Sequence, residues 1–199
     1  MTADEISAAF VQVGARQQGH FLLASGLHSD TYLQCARVFE RPEVAARLCA
    51  ELAARWKRAG AAVPQTVVGP ALGAVLMAYE MARAFGTSPL GARAVYAERK
   101  DGVFSFRRGF SFARGERILL CEDVVTTGGS SQEVLDVLRP FEVDVVGAIS
   151  LVDRGGGRSL GVKRYEALLR VEAPAWPQAE CPLCKRGEPV VAPGTKQAK

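Results

Sequence analysis

Ile118-Leu-Leu-Cys-Glu-Asp-Val-Val-Thr-Thr-Gly-Gly-Ser-Ser131 sets an apolar run, two carboxylates and a double-glycine turn in direct succession. Ile118 to Cys121 predict a short buried strand, and Ser130 to Arg139 predict a helix closed by Pro140. Glu122 and Asp123 sit where that strand is expected to end. The turn between them and the helix has the makings of an anion site. Two glycines let backbone N–H groups converge, the Thr and Ser hydroxyls add donors, and a helix N-terminus carries partial positive charge.

Two carboxylates beside a plain phosphate cradle would repel its ligand, so they need hydroxyls or a metal to contact. A sugar phosphate satisfies both halves, with its phosphate in the turn and its ring hydroxyls accepted by the acids. An apolar strand followed by Glu-Asp-Val-Val-Thr-Thr-Gly-Gly-Ser resembles the phosphoribosyl pyrophosphate motif of type I phosphoribosyltransferases. The resemblance implies that Glu122, Asp123, Val124, Val125, Thr126, Thr127, Gly128, Gly129 and Ser130 contact that substrate. An ordinary strand-to-helix turn is the competing reading.

Downstream, Val134, Leu135 and Leu138 mark the inward face of the helix, and Val143 to Val152 predict the next strand. It leads into Asp153-Arg154-Gly-Gly-Gly157, and ligands of open α/β sheets gather at the C-terminal ends of strands. Ser-Leu-Val-Asp-Arg154 resembles the stretch of orotate phosphoribosyltransferases whose arginine pairs with the orotate carboxylate, a task suited to a planar guanidinium fork. A structural ion pair is the alternative for Arg154. Leu160 to Val171 are expected to add one or two strands to a small hood, and the tail beyond is rich in Pro, Gly and charge.

Upstream, Pro89 to Tyr96 predict a strand that runs into a basic segment with glycines at both ends, the pattern of a lid or an extended hairpin. Six basic and two acidic residues between Arg99 and Arg117 carry the whole net charge of +4, so the rest of the chain is neutral. Such focusing suggests a local polyanion site more than a nucleic-acid surface. The resemblance assigns Arg99 and Lys100 to a lid spanning residues 98–113, which closes over the pyrophosphate in a neighbouring subunit, and makes Lys100 and Asp123 catalytic. A solvated basic hairpin is the alternative. Arg107 and Arg108 stand in for a later lysine and histidine of the family's lid, which have no match here.

Nearer the N-terminus, Thr66 to Ala74 predict a strand entering a glycine turn, with a helix from about Leu72 to Phe85. Arg41-Pro-Glu43 opens another helix whose Val44, Leu48, Leu52 and Trp56 form a core stripe ended by Gly60. Phe21 to Leu33 read as a hairpin around Ser-Gly, similar to the family's hood, and Thr2 to Glu5 have the spacing of a capping box. Two lysines common in the family are absent; Ala24 and Gly73 hold those places.

Composition bounds the remainder. The 199 residues suit one sizeable core, expected over 1–175 with hood segments near 18–36 and 158–175 and a Cys/Pro-containing tail from 176. No apolar run approaches the roughly 20 residues of a membrane helix, and the N-terminal residues lack a signal-peptide pattern, so a cytoplasmic setting is expected. Five cysteines argue against a disulfide framework. Cys181-Pro-Leu-Cys184 supplies two ligands where structural zinc takes four, so these thiols are read as unbound; His20 and His28 are read as packing or surface residues, and no residue is assigned to a metal.

The order of elements predicts a three-layer α/β fold, with a mostly parallel central sheet and a hood built from the chain termini. The resemblance, over about residues 18 to 172, implies transfer of a phosphoribosyl group from phosphoribosyl pyrophosphate to orotate, with Mg²⁺, in a homodimer that needs neither nucleic acid nor membrane. A transferase for a purine base and a nucleotide-sensing regulator of the same fold are the alternatives.

Overall fold

The computed structural model describes residues 1–86 and 91–193; the start of the strand expected over Pro89 to Tyr96, and most of the end from Ala192 to Lys199, which the sequence leads one to expect as disordered, lie outside them. In chain order the elements are α1 (Ala3–Gln12), β1 (Arg16–Leu22), β2 (His28–Leu33), α2 (Ala36–Phe39), α3 (Pro42–Arg58), β3 (Thr66–Pro70), α4 (Val75–Phe85), β4 (Arg93–Lys100) and β5 (Val103–Ser105). Then follow β6 (Arg117–Val125), α5 (Gly129–Leu138), β7 (Asp144–Asp153), β8 (Tyr165–Arg170), β9 (Ala175–Trp176) and α6 (Pro182–Lys185).

Six strands form the central sheet in the order β5-β4-β3-β6-β7-β8. All neighbours are parallel except the edge strand β5, which pairs antiparallel with β4. The strand period of two divides the core. Val67, Leu119, Cys121 and Ile149 pack with α1, α3 and α4 on one face, whereas Val68, Ile118, Leu120 and Ala148 pack with α5 on the other. Helices on both faces give the three expected layers.

Local chemistry explains the helices. In α1, Thr2 accepts from the Glu5 backbone N–H while Glu5 accepts from that of Thr2, and α3 carries Pro42 at its start, where a missing donor costs nothing. Leu48, Leu52 and Trp56 are fully buried, each contributing about 1.5–3 kcal/mol by transfer from water. The helix expected from Leu72 begins at Val75, because Ala71 to Ala74 form a loop instead.

Three expectations are corrected. The strand predicted to stop at Cys121 runs on to Val125, since Val124 and Val125 still pair with Val152 and Asp153 of β7. The segment 165–170 is no part of the hood: β8 extends the central sheet beside β7. The hood is the three-stranded sheet β1-β2-β9, completed by 175–176 and by Val191, whose N–H donates to the His20 carbonyl and whose carbonyl accepts from Leu22. The region beyond 176 therefore folds back onto the hood, and it brings Cys181 and Cys184 against buried His20 and His28, where isolated thiols and packing imidazoles were expected.

Candidate active site

Sheet order picks out the site. From β3 the chain moves to β4 on one side, and from β6 it moves to β7 on the other, so the strand order reverses between β3 and β6. In an open α/β sheet the crevice beyond the strand ends at such a reversal is where ligands bind. The loops following these two strands are the glycine loop 71–74 and the turn 126–128.

Because Glu122 and Asp123 lie inside a strand, their side chains leave it on opposite faces. Glu122 turns toward α5 and accepts a hydrogen bond from the Ser131 hydroxyl. Asp123 turns toward the glycine loop, so close that a Cβ on Gly73 would lie 3.0 Å from its Oδ1. A family lysine is missing at Gly73, and the space its stem would start from is bounded by this carboxylate. Burial pushes the Glu122 carboxyl up to about 7 against the pull of the Ser131 hydrogen bond, and neighbouring Asp123 adds to the rise. Burial raises Asp123 as well. Among the described residues neither acid has an ion-pair partner. A ligand that brings hydroxyl donors or a cation would favour their ionised forms.

The turn that follows opens α5. No side chain caps this helix, whose N-cap Gly128 has a φ of 81°, so the first-turn N–H groups of Gly129, Ser130 and Ser131 face the turn. An uncapped helix start with its positive dipole end is an anion seat. Val124 and Val125 are the last residues of β6; Val125 is buried, and its carbonyl accepts from the Arg154 N–H.

Arg154 is held across a shared wall. Asp153 accepts from the backbone N–H groups of Gly155 and Gly157, at 2.8 and 3.2 Å, and so curls the loop back over the turn. A Cβ on Gly156 would lie 2.1 Å from the Thr126 carbonyl oxygen, an approach only glycine permits. The Arg154 side chain donates to the Ala173 carbonyl at 3.2 Å and, among the described residues, makes no ion pair, which removes the structural salt bridge as its explanation. It lines a cleft of about 510 Å³ with Asp153, Gly155, Arg170, Val171 and Glu172. Arg170 and Ser131 escaped the sequence reading. Ser131 was within reach, one position beyond the motif; Arg170 was hidden by the assignment of its strand to the hood.

The basic segment is an extended hairpin. Asp101 and Gly102, at φ 52° and 83°, turn β4 into β5, and the return arm packs Phe104, Phe106, Phe110 and Phe112 over the α5 face of the sheet. Its base is tied down by Glu116, which accepts from Thr66, Arg93 and the Ala113 N–H; burial works against ionisation there, yet these bonds keep the carboxyl below its usual range. Arg99 lies over the Phe104 ring and pairs with Glu133 of α5 at 2.8 Å, and Arg108 pairs with Glu98. Lys100 is exposed and unpaired among the described residues. The hairpin thus stands beside the helix that carries the anion seat, while Ala24, at the other lysine gap, is exposed at the tip of the β1–β2 turn.

The family described as the phosphoribosyl transferase domain matches residues 39–180, most of the chain. The orotate phosphoribosyltransferase of Pelotomaculum thermopropionicum is 48% identical over 99% of this chain and 100% of its own length. The chain belongs to the orotate phosphoribosyltransferase family. Among solved structures, orotate phosphoribosyltransferase from Aeropyrum pernix superposes with a TM-score of 0.67 at 24% identity, covering 84% of this chain and 94% of its own. Adenine phosphoribosyltransferase from Saccharomyces cerevisiae, solved in complex with D-2,5-dideoxy-2,5-imino-altritol 1,6-bisphosphate and adenine, reaches a TM-score of 0.65 at 15% identity, over 82% of this chain and 99% of its own. At such identities the likeness speaks for the fold alone, and the acceptor base has to be argued from side chains.

Proposed function

We infer that the chain transfers the phosphoribosyl group of phosphoribosyl pyrophosphate to orotate, giving orotidine 5′-monophosphate and pyrophosphate. One observation carries this reading: Arg154, which has no ion-pair partner among the described residues, lines a cleft beside Gly155, and the next residue, Gly156, packs against the Thr126 carbonyl of the anion-seating turn. The sugar's 5′-phosphate sits on the turn 126–130, against the N–H groups at the start of α5. Glu122 and Asp123 accept the ribose hydroxyls, and Arg154 grips the orotate carboxylate through its planar fork. Orotate N1 then lies against C1′ as the bond to pyrophosphate breaks. Bound orotate is already an anion, so the protein's task is positioning and charge stabilisation more than proton transfer. Lys100, with Arg99 once released from Glu133, meets the charge that develops on the leaving pyrophosphate.

Magnesium belongs to the same proposal. Two half-buried carboxylates without a cationic partner among the described residues suit a hard cation that is otherwise held by substrate oxygens. Beside Glu122 and Asp123 it would neutralise ribose and pyrophosphate oxygens, and a cage made wholly of protein is not needed. The test is an assay of purified protein with magnesium, phosphoribosyl pyrophosphate and a panel of bases. Orotate is expected to be the preferred acceptor and uracil, which lacks the carboxylate, a poor one; preference for a purine would leave only the superfamily.

The homodimer and the shared lid are also proposals, as is a cytoplasmic setting, which suits five cysteines that form no disulfide. Leu72, Leu76 and Tyr79, at 89%, 56% and 62% exposure, form an apolar stripe that runs from the glycine loop along α4. A stripe of this kind beside the crevice suits an interface with a second copy. If the hairpin 98–113 serves a neighbour's crevice, Lys100→Ala and Asp123→Asn act at different sites of one dimer. Asp123→Asn alone is expected to reduce turnover at least about tenfold, roughly 1.4 kcal/mol. Equal mixtures of the two variants, after subunit exchange, should regain about a quarter of wild-type activity, because half of the dimers then hold one intact site. Activity that stays at the mean of the two variants would refute sharing.

A further inference from the structure

His20 and His28 belong to adjacent hood strands, whereas Cys181 and Cys184 flank the start of α6, more than 150 residues later. Their four ligand atoms all lie within 4.8 Å of one another. His20 Nε2 stands 2.7 Å from His28 Nδ1, 3.5 Å from Cys181 Sγ and 3.6 Å from Cys184 Sγ, and Cys184 Sγ is 3.3 Å from His28 Nδ1. Cys181, His20 and His28 are 0%, 4% and 5% exposed, and Cys184 is half-buried.

We propose that these four side chains form a closed, structural zinc site that fastens the segment 181–191 to the hood. A tetrahedral ion with bonds of about 2.0–2.1 Å to nitrogen and 2.3 Å to sulfur requires N···S edges of about 3.6 Å. The three N···S separations here, from 3.3 to 3.6 Å, are close to that edge. The N···N separation of 2.7 Å is shorter than the corresponding edge, so the entering ion parts the two rings by about half an ångström. Orientation is already set at one ligand. His20 Nδ1 lies 2.8 Å from the Glu188 carbonyl, an acceptor only, so the ring proton sits on Nδ1 and the Nε2 lone pair points into the cluster. A ligating histidine usually has its second nitrogen fixed by a carbonyl or carboxylate in this way.

Charge favours the same ion. Zn²⁺ with two thiolates and two neutral imidazoles is neutral overall, which an enclosed site can hold without a further counter-ion. Two thiol protons leave to solvent as the metal enters, so binding strengthens as pH rises. Four protein ligands leave no open position, which marks the site as structural rather than catalytic. Thiolate and imidazole together select zinc over magnesium or calcium, which take oxygen. The isolated bridge at Val191 that follows ties the fastening to the hood, since Val191 bonds to both His20 and Leu22 through the backbone. The inference does not depend on which base the crevice accepts.

The test uses the full chain, purified under reducing conditions without a metal-binding tag. Elemental analysis is expected to find about one zinc per chain, and Cys184→Ser to lower that content at least tenfold. A strong chelator should lower the melting temperature of the wild type and leave that of Cys184→Ser unchanged. As a measurement independent of any variant, Co²⁺ added to metal-stripped wild type should give the visible bands of tetrahedral cobalt and a near-ultraviolet thiolate-to-cobalt band. Wild-type protein that carries no zinc and gives no such bands would overturn the site. So would a Cys181–Cys184 disulfide found by mass under these reducing conditions.

Discussion

Arg154→Ala is expected to lower the use of orotate by roughly thirtyfold or more while the KM for phosphoribosyl pyrophosphate changes little. A buried carboxylate paired with arginine loses on the order of 2–5 kcal/mol when the arginine is truncated, largely because the partner charge is left unpaired. Among the described residues of the free protein the Arg154 side chain holds only the Ala173 carbonyl, at 3.2 Å, so its truncation is expected to strand no buried acid and to leave the fold intact. The penalty then falls on the bound acceptor. Steady-state kinetics with each substrate varied in turn separates the two effects, and uracil, with no carboxylate, is used no worse by the variant than by the wild type. An equal loss of affinity for both substrates would show that Arg154 organises the crevice as a whole, and the acceptor assignment would fall.

Gly156→Ala should cost more, on the order of a hundredfold in kcat/KM. The added Cβ would meet the Thr126 carbonyl oxygen at 2.1 Å, the Thr126 carbonyl carbon at 2.7 Å and that of Thr127 at 2.9 Å. All three are backbone atoms and none can swing aside, so the turn or the arginine loop must shift by about 1 Å. A misplacement of that size in a positioning group costs about a hundredfold, whereas local overpacking costs only about 1–3 kcal/mol of stability. The expected picture is a folded protein, slightly less stable in thermal melts, with both Michaelis constants raised, since the displaced loop packs on the phosphate turn at Gly156 and lines the cleft at Arg154 and Gly155. A variant within a few-fold of wild type would show that the two loops move independently.

These two residues illustrate what could be read in advance. The strand, turn and helix around Glu122 were legible because the motif is local and each part is conditioned by its neighbours. The opposite faces of Glu122 and Asp123 follow from the strand period of two, but ending the strand at Cys121 concealed this. The strand of Ala167 and Leu168 was recognisable as a strand; its partner was not, because an edge strand of the parallel sheet and a hood strand look alike until pairing is known. The separation of Cys181 from His20 defeated the spacing rules altogether. Ligand motifs are legible when a turn or a helix sets the distance, and here a tertiary fold-back sets it. Gly156 gave no signal beyond a run of three glycines, since its requirement is the proximity of Thr126.

The hood has a consequence for synthesis on the ribosome. Its first hairpin emerges early, yet the contacts that finish it, such as Glu188 with His20, join residues 168 positions apart. Strands that must wait for distant partners form late, and a vectorially made chain exposes their unpaired edges in the meantime. The central sheet can assemble while the hood is still open on the side that 175–191 will cover. A nascent chain halted near residue 175 would therefore hold the crevice elements without β9, α6 or the bridge partner at Val191, so the hood closes only after the crevice elements have been made.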